Sequence, residues 1–148
     1  MKKLFLNMVL ISILCLSGCT AVTVRPIDAS LQLKHVCIED CQSTCFEGEM
    51  MGVVRDGFDR HGITTQVYSG TPPSECEYNL SIMCERSWDL AMYMKHAELR
   101  LYHNNLQVGY AEYHLNGGGG LSPTKWGNTR TKMEPVVDEM LIGYPRRY

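Results

Sequence analysis

Met92-Tyr93-Met94-Lys95-His96-Ala97-Glu98-Leu99-Arg100-Leu101-Tyr102, then His103-Asn104-Asn105, then Leu106-Gln107-Val108-Gly109-Tyr110-Ala111-Glu112-Tyr113-His114-Leu115, reads as a β-hairpin. Ala97, Leu99 and Leu101 share one parity while His96, Glu98 and Arg100 take the other. Successive side chains of a strand point to opposite faces, so this is the pattern of a sheet with one buried side. Asn104-Asn105 is the turn between the two strands, because Asn tolerates the left-handed backbone that a short hairpin loop needs.

Working upstream, Tyr78 to Trp88 also looks extended, with Tyr78, Leu80, Ile82 and Cys84 on one parity. Ile63 to Tyr68 is a short strand closed by the turn-forming Ser69-Gly70-Thr71-Pro72-Pro73. Before it the period changes to that of a helix: Phe46, Met50, Val53, Val54 and Phe58 recur at helical spacing, and Gly62 is the expected C′ stop. Gly48, Gly52 and Gly57 each weaken this helix by about 1 kcal/mol relative to Ala, so packing must hold it. Leu31, Leu33, His35 and Cys37 alternate as a first strand would. Downstream, Gly117 to Gly120 predict a mobile loop. Thr131-Lys132-Met133-Glu134 then forms a capping box for a C-terminal helix, with Pro135 in its first turn and Gly143-Tyr144-Pro145 as its stop. The order β-α-β-β-β-β-α predicts an α+β two-layer domain, a mostly antiparallel sheet with both helices on one face.

The N-terminus tells of location. Lys2 and Lys3 precede a mostly apolar run, Leu4 to Leu16, of about 13 residues, shorter than the roughly 20 needed to span a bilayer. Leu16-Ser17-Gly18-Cys19 matches the bacterial lipobox. The expected domains are therefore a signal peptide (1–18), a lipidated Cys19 with a tether (19–29), and a single α+β periplasmic domain (30–148). Cys19 would carry a diacylglycerol on sulfur and an acyl chain on its new amino group, enough for stable membrane attachment. Thr20, where retention in the inner membrane would call for Asp, points to the outer membrane, periplasmic face. Removal of 1–18 leaves 12 Lys and Arg against 16 Asp and Glu, a balance that argues against nucleic-acid binding.

Five cysteines remain for an oxidising compartment: Cys37, Cys41, Cys45, Cys76 and Cys84. Cys84 falls on the buried parity of its strand and is the expected unpaired thiol. Cys37 closes one apolar segment and Cys76 opens another, so a Cys37–Cys76 bridge is favoured, with Cys41–Cys45 a weaker second. The even spacing of Cys37, Cys41 and Cys45, with His35 nearby, offers four soft donors for Zn²⁺ or Cu⁺. This set is the alternative reading, a thiol- or metal-handling protein. A third reading, a cysteine-dependent hydrolase, would need one of His35, His61, His96, His103 or His114 as general base, yet no local motif pairs any of them with a thiol. The glycine run with Lys125 lacks phosphate-loop spacing. Tyr110, Tyr113 and Trp126 are the candidate partner surface, since such aromatics anchor interfaces.

Val54-Arg55-Asp56-Gly57-Phe58-Asp59-Arg60-His61-Gly62-Ile63, Arg86-Ser87-Trp88-Asp89-Leu90-Ala91 and Gly109 to Asn116 together resemble a family of small lipoproteins from marine and related gamma-proteobacteria, named for a founding locus. The resemblance runs from the lipobox to the C-terminal helix. It implies class and address, includes Cys37 and Cys76 in the pattern, leaves Cys41 and Cys45 as additions, and supplies neither catalytic residues nor a cofactor. The expected function is thus a lipid-anchored, non-enzymatic binding or accessory factor with an envelope protein as partner.

Overall fold

The computed structural model describes residues 20–41, 45, 48–119 and 123–147, so the signal segment, Cys19, Phe46 and Gly120 lie outside it. Six strands build one sheet: β1 (Thr20–Arg25), β2 (His35–Glu39), β3 (Thr64–Tyr68), β4 (Tyr78–Asp89), β5 (Ala91–His103) and β6 (Leu106–Leu115). Their spatial order is β1-β6-β5-β4-β2-β3. Helices α1 (Glu49–Arg60) and α2 (Thr129–Met140) pack on one face, giving the two-layer α+β domain. Among the described residues no helix is long and apolar enough to cross a membrane.

The β5–β6 hairpin turns at Asn104 and Asn105, both with positive φ (49° and 64°), as a two-residue loop requires. Ala97, Leu99 and Leu101 are fully buried beneath the helices, as their parity predicts. A register shift between Leu101 and Tyr102 moves the pairing by one residue, so that Leu101 faces Gly109. A Cβ at Gly109 would come within 2.7 Å of Ile27 Cγ1 and 2.9 Å of Met140 Cε, which is why only glycine lets α2 approach there.

Three expectations change. The segment read as a tether is in large part strand β1, paired antiparallel with β6 from Thr20↔Leu115 to Arg25↔Tyr110. The sheet is mostly antiparallel, as expected, along β1-β6-β5-β4, and mixed because β2 runs parallel to both β3 and β4. The residues of β2 that join the helix-side core are Val36 and Ile38, whereas Cys37, equally buried, lies on the other parity at its disulfide with Cys76 and His35 is half-buried. The glycine run does not begin as a loose connector, because Asn116–Gly119 forms a 3-10 turn whose Gly119 packs on Leu115.

The helix ends follow local chemistry. At α1 the Ile63 N–H donates to Phe58 O (3.0 Å) and the Gly62 N–H to Asp59 O (2.8 Å), with Gly62 at φ 72°. This is the Schellman pattern, sealed by the buried pair Phe58 and Ile63. α2 starts earlier than the Thr131 capping box suggested: Asn128 is the N-cap, and its Oδ1 accepts from the Thr131 N–H at 2.7 Å. Pro135 therefore sits inside the helix, on its exposed side, where the missing N–H leaves one helical bond unmade.

Candidate functional site

The sheet face turned away from the helices carries the polar parity of β5 and β6. After the register shift His96 lies opposite His114, Glu98 opposite Glu112 and Arg100 opposite Tyr110. The two Nδ1 atoms of His96 and His114 are 3.2 Å apart, and Glu112 Oε1 is 3.6 Å from His96 Nδ1. On its other side His96 Nε2–H donates to Glu98 Oε1 at 3.0 Å, and Arg100 pairs with the same carboxylate. Tyr110 OH donates to Glu112 Oε2 at 3.0 Å.

Both carboxylates are anchored from behind. Burial works against the charge on Glu98, but hydrogen bonds from His96 and Arg100 outweigh it and hold its pKa below the usual carboxylate value. Burial, and then donation to Glu112, push the Tyr110 phenol up to about 12, so it remains a donor at neutral pH. The side chains of His96 and Glu98 are only 11% and 12% exposed, while Glu112 at 28% leaves a path to solvent. Among the described residues, His96, Glu112 and His114 bring one donor atom each within 4.8 Å of one another, as a metal ion would require.

The cysteines are arranged differently from the four-donor set of His35, Cys37, Cys41 and Cys45. Cys37 and Cys76 form a disulfide, with Cα atoms 5.8 Å apart, so the Cys37 sulfur is consumed. His35 turns Nδ1 to Thr64 Oγ1, 2.8 Å away, while its Nε2 lies 3.8 Å from the bridged Cys37 sulfur. Cys41 and Cys45 are not bridged to each other: both are buried thiols, and Cys45 Sγ lies 3.0 Å from Cys84 Sγ. Hydrogen bonding with Cys45 and burial raise the Cys41 thiol well above its ordinary range, which makes it a poor nucleophile at neutral pH.

The three aromatic residues of the candidate partner surface do not share one. Tyr110 belongs to the network on the open face, whereas Tyr113, of opposite parity, is buried. Tyr113 lines a groove of about 720 Å³ between β1 and α2, together with Val22, Lys132 and Val136. Trp126 is half-buried and its indole N–H donates to Asp89 O at 2.9 Å. Beside it, the buried Lys125 ammonium reaches Asp89 Oδ2 at 2.6 Å and lies over the Tyr93 ring at 4.4 Å. These contacts hold Asp89, the residue before the turn at Leu90, and so pin one side of the β4–β5 hairpin tip, where Trp88 (70%), Leu90 (81%) and Met92 (52%) are exposed.

The hairpin tip projects from the same end of the sheet at which β1 begins. Thr20 pairs with Leu115, and His114 with His96, so β5 extends past His96 as far as Ala91, about 17 Å at roughly 3.3 Å per residue.

No protein-family model matches the chain, and no curated protein matches it. Among solved structures the fold resembles PelC of Paraburkholderia phytofirmans. A point variant of the PelC dodecamer superposes with a TM-score of 0.53 at 12% identity, covering 87% of this chain and 99% of that one. A second PelC dodecamer gives the same TM-score and coverage at 10% identity. At this identity the likeness is one of fold.

Proposed function

We propose that this protein is a lipid-anchored envelope lipoprotein, attached through Cys19 to the periplasmic face of the outer membrane, whose folded domain works by binding an envelope protein partner rather than by catalysis. The observation that carries the reading is the coincidence of two features at one end of the sheet. Cys19 of the lipobox immediately precedes the first residue of β1, and the β4–β5 hairpin exposes Trp88, Leu90 and Met92 at that same end. Trp favours the membrane–water boundary, and apolar side chains beside an acyl anchor add to attachment. The likeness in fold to PelC chains described as dodecamers supports an assembling role, as does the apolar groove at the β1 edge.

Fractionation of cells expressing the intact protein tests this, together with the mass of its N-terminal peptide. The wild type should sediment with the outer membrane and carry diacylglycerol and acyl groups on Cys19. Cys19→Ala should be released, and Trp88→Ser with Leu90→Ser should weaken the residual vesicle binding of that unlipidated form. A wild type that is soluble, with residue 19 unmodified, would refute the reading. Crosslinking in intact cells, compared with Cys19→Ala, then identifies the partner.

A further inference from the structure

We propose that His96, His114 and Glu112 form a Zn²⁺ site on the open face of the sheet, with Glu98 and Tyr110 as the groups that orient its ligands. Two ligands held at the usual Zn–N distance on a tetrahedral ion lie about 3.3–3.4 Å apart. The Nδ1 atoms of His96 and His114 are 3.2 Å apart, and Glu112 Oε1 is 3.6 Å from His96 Nδ1. Those two separations are close to what one ion would demand, and one donor atom from each of the three residues lies within 4.8 Å of the others.

The outer contacts agree with that assignment. A zinc-binding imidazole donates its far N–H to a carboxylate or carbonyl, which fixes the tautomer that leaves the other nitrogen as a ligand. His96 does this through Nε2 to Glu98 Oε1 at 3.0 Å, and Glu98 is in turn held by Arg100. Glu112 gives Oε2 to the Tyr110 hydroxyl at 3.0 Å, which leaves Oε1 as the atom nearest His96. Two imidazoles exclude Mg²⁺ and Ca²⁺, which take oxygen ligands, and a two-nitrogen, one-oxygen set suits Zn²⁺. Three protein ligands would leave one of zinc's four positions open to water, and Glu112, 28% exposed, gives the site its contact with solvent. The thiols of Cys41, Cys45 and Cys84 belong to the opposite, buried side and take no part.

The test is titration of the intact protein with Zn²⁺ alone, by calorimetry, alongside Co²⁺ as a spectroscopic stand-in. One Zn²⁺ per chain should bind to the wild type. His114→Ala and Glu112→Gln should each weaken binding more than Glu98→Gln, for which loss of an orienting carboxylate predicts about a 10–100-fold drop. Cys84→Ala should bind as the wild type does, and bound Co²⁺ should show a tetrahedral spectrum without a cobalt–thiolate band. Far-UV circular dichroism checks that each variant is folded, and Glu98→Gln, which keeps size and shape, answers the question if His114→Ala is not. Absence of stoichiometric binding to the wild type would leave a hydrogen-bonded ion cluster only and overturn the proposal. So would binding that survives both His114→Ala and Glu98→Gln, or a thiolate band in the cobalt spectrum.

Discussion

Gly57→Ala should destabilise this protein, although Gly52→Ala, five residues earlier in the same helix, should stabilise it. In a helix interior the exchange normally gains about 0.5–1 kcal/mol, since alanine gives up less conformational freedom on folding. At Gly52 nothing lies within 4 Å of the added methyl, so that gain should appear in full. At Gly57 the new Cβ would stand 3.3 Å from Val137 Cβ and closer still to its Cγ1, at the contact between α1 and α2. Val137 is fully buried, so it cannot swing aside into solvent. Overpacking of this kind costs about 1–3 kcal/mol, which exceeds the propensity gain and leaves a net loss of about 0.5–2 kcal/mol. Urea unfolding followed by circular dichroism would read the two variants, which should move in opposite directions. Adding Val137→Ala supplies a cycle: the double variant should be less destabilised than the sum of its singles by about 1 kcal/mol or more. A Gly57→Ala protein more stable than the wild type, or two effects that simply add, would show that the helices are not in the close contact described.

Three further outcomes are expected. Cys37→Ser with Cys76→Ser should lower stability by about 4 kcal/mol, the loop-closure value for a separation of 39 residues. Denatured without reductant, the wild type from residue 20 onward should show three thiols, those of Cys41, Cys45 and Cys84, as should the variant, and five thiols in the wild type would contradict the bridge. Asn128→Ala should cost about 1 kcal/mol by removing the cap on the Thr131 N–H, and an unchanged urea midpoint would mean that Thr131 caps the helix after all. The Glu98 carboxylate is held below its usual value of 4.5, so the metal-free wild type should gain stability above that pH and lose it as pH falls through the lowered value. Glu98→Gln should flatten this acid limb, and parallel curves for the two proteins would remove the claim.

Period-two patterning exposed most of the sheet to sequence reading, because β4, β5 and β6 each bury one face and leave the other in contact with solvent. The disulfide was legible for a related reason, since Cys37 and Cys76 flank apolar segments that must lie side by side. β1 was hidden because its side chains are almost all exposed, Val22 at 47% included, so burial left little mark on its composition. β2 misled because residues on both of its faces are buried, Val36 and Ile38 by the core and Cys37 at its disulfide, which erases alternation. At α2 two capping solutions three residues apart competed, and the earlier one took the helix start.

The His96, Glu112 and His114 cluster shows most plainly where sequence runs out. Counted from the Asn104-Asn105 turn alone, the hairpin would place His96 opposite Tyr113. The irregularity at Leu101/Tyr102 shifts the pairing by one and brings the two histidines together. The irregularity falls next to Gly109, where Ile27 and Met140 approach the strand closely, and nothing in the alternating pattern of the two strands fixes the residue at which the pairing slips.

The pairing of β1 with β6 also sets an order of events. Thr20 finds its partner in Leu115, so the first strand of the domain cannot close until the other five strands of the sheet have been delivered. Contacts so distant along the chain form late, since the loop between them must be ordered first. Under the proposed anchoring, the strand that joins residue 19 to the domain would be among the last parts of the sheet to close, so the join between anchor and body would be completed by the far end of the chain.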